Sequence, residues 1–171
     1  MDSNGTPDVL ASGEMSSVAA DVPIEELVAQ AYEAAQPAIR NRMLARLVGK
    51  VYETAPLTIR SRLLEHLLQP LGVLALVAVA DGVFAKIRFR SGWPDMHVRL
   101  EDAQNVQASD VIVLVDHVQQ VSMDVVNGLM QLLATSPAMA SSAAVAVLVS
   151  VLVQNTRTRR ASDSEGGSPA I

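Results

Sequence analysis

Two stretches of this chain are apolar enough to leave water: residues 71–80 (LGVLALVAVA), continuing past Asp81 as GVFA, and residues 143–153 (AAVAVLVSVLV). Over windows of about 19 residues, 67–85 and 135–153 reach a mean hydropathy of roughly +1.9 and +1.8, the range of membrane-spanning helices. Crossing a hydrocarbon core about 30 Å thick takes roughly 20 mainly apolar residues. Both windows come close to that length, so membrane association is the leading expectation. Asp81 stands about two thirds of the way along the first segment. An ionisable group inside a span is costly and needs a partner or a polar path, which makes Asp81 the intramembrane polar candidate. Ser141, Ser142 and Ser150 in the second can bond back to their own helix.

If both segments span, the chain is a transmembrane hairpin. Nine basic residues then lie on the side of the termini (Arg40, Arg42, Arg46, Lys50, Arg60, Arg62, Arg157, Arg159, Arg160) and four in the connection (Lys86, Arg88, Arg90, Arg99). The positive-inside rule places the protein in the cytoplasmic membrane with both termini cytoplasmic. The alternatives are a peripheral protein lying on a lipid or granule surface, and a soluble cytoplasmic bundle whose core takes up both apolar runs.

Only five aromatic residues are present (Tyr32, Tyr52, Phe84, Phe89, Trp93), so the apolar mass is alanine, valine and leucine. That composition suits helices and disfavours an all-β fold. With no cysteine there is no disulfide and no thiolate metal site. A net charge of -5 argues against a nucleic-acid binder. Residues 1–23 hold Asp2, Asp8, Glu14 and Asp21 and no basic residue, so no secretory signal is expected at the start.

An internal repeat with a period of 20 organises residues 28–67. Aligning 28–47 with 48–67 pairs nine identical residues, among them Tyr32 with Tyr52, Glu33 with Glu53, Ile39 with Ile59, Arg40 with Arg60 and Arg42 with Arg62. Each unit reads as a helix end, a proline break near Pro37 or Pro56, and a new amphipathic helix with one buried stripe. Successive helices are expected to fold back on one another. The division of the chain that follows is an unstructured arm (1–20), an amphipathic repeat region (21–69) and a hydrophobic helix (70–90). A loop (91–108), an amphipathic helix (109–136), a second hydrophobic helix (137–156) and a basic, then unstructured, tail (157–171) complete it. Asp21 is expected to cap the first helix. Alternation in KIRFR and MHVRL allows a short hairpin.

No enzyme signature is present. The nucleophile elbow, phosphate loop, dinucleotide fingerprint and H-E-x-x-H are all missing, so no catalytic residue, cofactor or small-molecule substrate is inferred. His66, His97 and His117 are far apart, and a metal site would have to be assembled from distant segments, for example Asp95, His97, Asp116 and His117; no metal is assigned.

The repeated I-R-x-R is more informative. Arg40 and Arg60 sit at helix starts, where the dipole disfavours cations, so something must compensate. They can pair with Glu33 and Glu53 or with other carboxylates across the helix turn. Alternatively Arg40, Arg42, Arg60 and Arg62 contact lipid phosphates or a partner protein. The acidic stretch from Asp95 to Asp124 reads as a solvated face, or as a dock for a basic partner. Arg159, Arg160 and Ser162 resemble a basophilic kinase site on a tail.

The expected fold is an all-α helical bundle with a 20-residue repeat and two strongly hydrophobic helices able to form a transmembrane hairpin. The expected function is that of a small non-enzymatic membrane-associated adaptor or assembly component, in contact with membrane lipid and with a protein partner or further copies of itself. The small-residue run 138–146 suits close helix packing between such copies.

Overall fold

Pro37 and Pro56 stand where the repeat predicts breaks, and the chain turns at both. The computed structural model describes residues 22–91 and 97–165. Within them α1 (Ile24–Ala34), α2 (Pro37–Thr54) and α3 (Leu57–Leu68) are separated by residues in extended conformation, Ala35 and Gln36 at the first joint and Ala55 and Pro56 at the second. Pro37 occupies the first position of α2, where its missing N–H is one of the donors a helix start leaves unpaired anyway. Pro23 immediately precedes α1, with Glu25 and Glu26 in the first turn complementing the dipole. The expected cap, Asp21, lies outside the described residues.

The chain continues through α4 (Val73–Leu76), a single turn at Ala80–Gly82 and α5 (Val83–Ser91). Next come α6 (Leu100–Asn105), α7 (Ala108–Val121) and α8 (Met123–Ala134), a 3-10 turn at Pro137–Met139, and α9 (Ala143–Glu165). The described residues contain no strand, so the fold is an all-α bundle. The segment proposed for a hairpin at Lys86–Arg90 lies in α5.

The hydrophobic helix expected over 70–90 does not form. Ala80, Asp81 and Gly82 have φ of 47°, 54° and 77°, and left-handed residues cannot continue a right-handed helix. Gly82 takes such a conformation at no steric cost and Asp81 tolerates it, whereas Ala80 is strained. The apolar run is thereby cut into two short helices. No helix among the described residues is long and apolar enough to cross a membrane.

The second apolar run does lie in a helix, but that helix starts only at Ala143 and carries on through the basic NTRTRR to Glu165. A tail was the expectation for its last turns. Its valines and leucines are core residues: Val145, Leu148, Val151 and Leu152 are buried as α9 packs across α1, α2 and α8. The amphipathic helix expected over 109–136 is two helices, because Ser122 is extended (φ -155°, ψ 105°) and lets α8 leave at a new angle. The loop expected over 91–108 contains α6.

The repeat helices do not chiefly pack on each other. The principal neighbours of α2 are α7 and α9, and those of α3 are α6 and α8. Leu44, Val48 and Val51 meet Val111, Leu114, Val115 and Val118 in one core. Gly49 sets the α2–α7 distance: a Cβ there would stand 2.6 Å from Cγ1 of Ile112. Gly128 does the same for α3 and α8, since its Cβ would stand 2.7 Å from Nε2 of His66, the nitrogen that lies 2.7 Å from the carbonyl oxygen of Val125.

Candidate docking surface

At each repeat joint an arginine from the new helix closes the end of the old one. Arg40 donates from Nε to the Ala35 carbonyl (2.8 Å) and from Nη2 to the Glu33 carbonyl (2.5 Å). Arg60 does the same to Ala55 (2.8 Å) and Glu53 (2.6 Å). A helix leaves its last four carbonyls unpaired and its C-terminus partly negative, so a guanidinium there neutralises charge and supplies donors together. Each guanidinium also lies over the tyrosine of its own repeat unit, 5.9 Å from the Tyr32 centroid and 5.3 Å from that of Tyr52. The expected compensation of Arg40 and Arg60 is thus present, but through the backbone carbonyls of Glu33 and Glu53 in place of their carboxylates.

Both tyrosines carry the joint into the core. Tyr52 is buried and donates to the Ala103 carbonyl at 2.6 Å, and Tyr32 reaches Oδ1 of Asn155 at 3.4 Å. Burial pushes the Tyr52 hydroxyl up to about 12 against the opposing pull of Arg60, and it raises Tyr32 in the same direction against Arg40 and Arg159.

The other sequence candidates are dispersed. Arg42 and Arg62 are both exposed on their helices. Arg42 lines a shallow groove between α2 and α7 with Arg46, Ile112, Val113 and Asp116. Asp81 is exposed at the left-handed turn. His97 faces Glu65 at 3.0 Å, and Asp95 lies outside the described residues. Among the described residues no three His, Asp or Glu side chains gather closely enough to hold a metal ion. Ser162 is on the last turns of α9, where its hydroxyl donates to the Thr158 carbonyl at 3.0 Å.

One surface gathers features that the sequence reading had assigned to a span. Between Leu71 and Val79, which are buried, α4 and its flanks expose Val73 (37%), Leu74 (90%) and Val77 (58%), and Gly72, Ala75 and Ala78 are exposed beside them. Only Leu76 of this stretch turns into the core. A leucine nine-tenths in water adds little to the core, and with neighbours of the same kind it forms an exposed apolar patch. α4 packs against α5, whose Phe84, Ala85 and Ile87 are buried and whose Lys86, Phe89 and Arg90 face out. At 100° per residue these three share an arc of about 100°. Phe89 is 81% exposed with a cation on either side.

The base under this surface is well tied. Arg90 meets the nearly buried carboxylate of Asp102 in α6 at 2.8 Å, the Ser61 hydroxyl donates to the Val98 carbonyl at 2.5 Å, and the Val98 N–H donates to Glu65 Oε1 at 2.8 Å. Helices α3, α5 and α6 therefore hold one another, and α4 packs on α5 with Leu71, Leu76 and Val79 in the core. The one sequence signal for this arrangement is the Asp81–Gly82 pair, turn chemistry inside an apolar run. No protein-family model, curated protein or solved structure matches this chain.

Proposed function

We propose that the protein is a small non-enzymatic adaptor or assembly component that attaches to a membrane surface through α4 and α5 while its bundle remains in water. The single observation that carries this reading is the exposure of Leu74 and Phe89, at 90% and 81%, on two helices that pack together. Burying a leucine or phenylalanine side chain in an apolar medium is worth roughly 1.5–3 kcal/mol. Two such residues with Val77 give a reversible attachment of the kind an amphipathic surface makes.

Membrane association by a transmembrane hairpin is the second reading, favoured by the apolar run 143–153. It requires Leu76, Phe84, Leu148, Val151 and Leu152 to leave the core in which they are buried. It also requires the left-handed turn at Ala80–Gly82 to become helix. Alkaline carbonate extraction of membranes from cells expressing the chain separates the two. Release into the supernatant supports surface attachment, retention in the pellet supports the hairpin, and recovery in the cytosol without any membrane fraction contradicts both.

A further inference from the structure

The composition of the α4–α5 surface carries a statement about which lipid it meets. Along 72–91 the chain places Lys86, Arg88 and Arg90 against a single carboxylate, Asp81, although the protein as a whole has a net charge of -5. Lys86 and Arg90 share the outward arc of α5 with Phe89. Arg90 is shared with Asp102, yet its side chain keeps 56% of its exposure. The apolar part is no groove: Leu74, at 90% exposure, is too open to line the wall of a cleft that could grip a peptide. Exposed aliphatic side chains on one helix and outward cations on the helix packed against it fit a fluid interface whose outer layer is negatively charged.

We infer that the α4–α5 surface is a site for anionic phospholipid bilayers, with Leu74, Val77 and Phe89 entering the acyl boundary and Lys86 and Arg90 meeting headgroup phosphates. The inference rests on the reading of the protein as a membrane-surface component and adds the lipid class. Asp81, the one carboxylate along 72–91, opposes binding.

The full chain is tested by flotation with phosphatidylcholine vesicles prepared with and without phosphatidylglycerol. Binding at least about tenfold stronger with phosphatidylglycerol is expected. A cation close to an anionic surface is worth about 1 kcal/mol, so Lys86→Ala weakens binding about fivefold and Asp81→Asn strengthens it by a similar factor. Leu74→Asp removes flotation. Because Leu74 is almost fully solvated, that variant keeps the wild-type circular dichroism and melting temperature, which separates loss of the site from loss of the fold. Equal binding to both vesicle types overturns the lipid assignment and leaves surface attachment standing. No binding to either, by folded protein, overturns both. Self-association abolished by Leu74→Asp, with no flotation, also overturns the inference and gives the surface to a second copy of the chain.

Discussion

Arg60 lies with its guanidinium 5.3 Å from the centre of the Tyr52 ring while donating to the carbonyls of Ala55 and Glu53, and Arg40 repeats the arrangement over Tyr32. The repeat in the sequence is therefore a repeat of a joint. Tyrosine, helix end, extended pair and returning arginine recur together, while the helices that leave each joint find different neighbours.

Arg60→Ala loses two hydrogen bonds from a charged donor and uncaps α2, so a cost of about 1–3 kcal/mol is expected. Arg60→Lys recovers only part of it, since an ammonium cannot present the two fixed donors of a guanidinium. The two joints are separated by the 18 residues of α2 and share no partner, so Arg40→Ala and Arg60→Ala should add in the double variant. Urea denaturation of the wild type and the four variants checks it.

Alkaline pH should weaken the fold through Tyr52. Its hydroxyl has a model-peptide value of 10.0 and is pushed up to about 12 when folded. A value raised on folding means that the stabilisation is complete below pH 10 and lost as pH climbs from 10 to about 12, where the buried phenol must ionise. Two units correspond to roughly 2–3 kcal/mol. Tyr32, raised in the same direction, adds to the same window. In Tyr52→Phe the slope of stability against pH between 10 and 12 should flatten, at the cost of the bond to the Ala103 carbonyl. Chemical denaturation across that range measures both.

Gly49 and Gly128 are helix-interior glycines where alanine would ordinarily stabilise by about 1 kcal/mol. Here both alanine variants should destabilise by about 1–3 kcal/mol, because the new methyl would meet Ile112 at 2.6 Å or His66 at 2.7 Å. Thermal melts of Gly49→Ala with and without Ile112→Ala test the reason: the second change should cost less in the Gly49→Ala background than alone. Equal costs would show that the two do not collide.

The left-handed turn gives an opposite sign. Ala80 holds φ at 47°, a conformation that costs an L-residue about 1–2 kcal/mol, so Ala80→Gly should be neutral or slightly stabilising, while Gly82→Ala should destabilise by about 1 kcal/mol. Thermal denaturation of the pair decides it.

How much of this was legible follows from what kind of physics fixed each part. The joints at Pro37 and Pro56 were readable, because proline acts locally through its ring. That Arg40 and Arg60 needed a compensating partner was readable from the dipole. Its identity was not, because a carbonyl freed at a helix end leaves no residue type to recognise. The break at Ser122 depends on where α8 must go to meet α3 and α9, a tertiary demand with neither proline nor glycine to announce it. The apolar run from Leu71 was misleading for a related reason. Hydropathy counts residues and does not see that Asp81 and Gly82, with a strained Ala80, reverse the chain and put half of the run in the core and half in water. Lys86 and Phe89 of the candidate surface became visible only once α5 existed to place them on one face.

On the function proposed above, the protein meets a bilayer at α4 and does not pass through it. The chain has no cysteine, so single cysteines can be placed at Leu74 and at Ala146 and labelled with an environment-sensitive fluorophore. Both positions are exposed in the fold, but Ala146 lies within the second apolar run. On vesicles containing phosphatidylglycerol, the label at 74 should shift to the blue and be quenched by lipid-borne quenchers while the label at 146 stays aqueous. Quenching at both positions would contradict surface attachment in favour of a spanning hairpin, and quenching at neither would contradict membrane contact altogether.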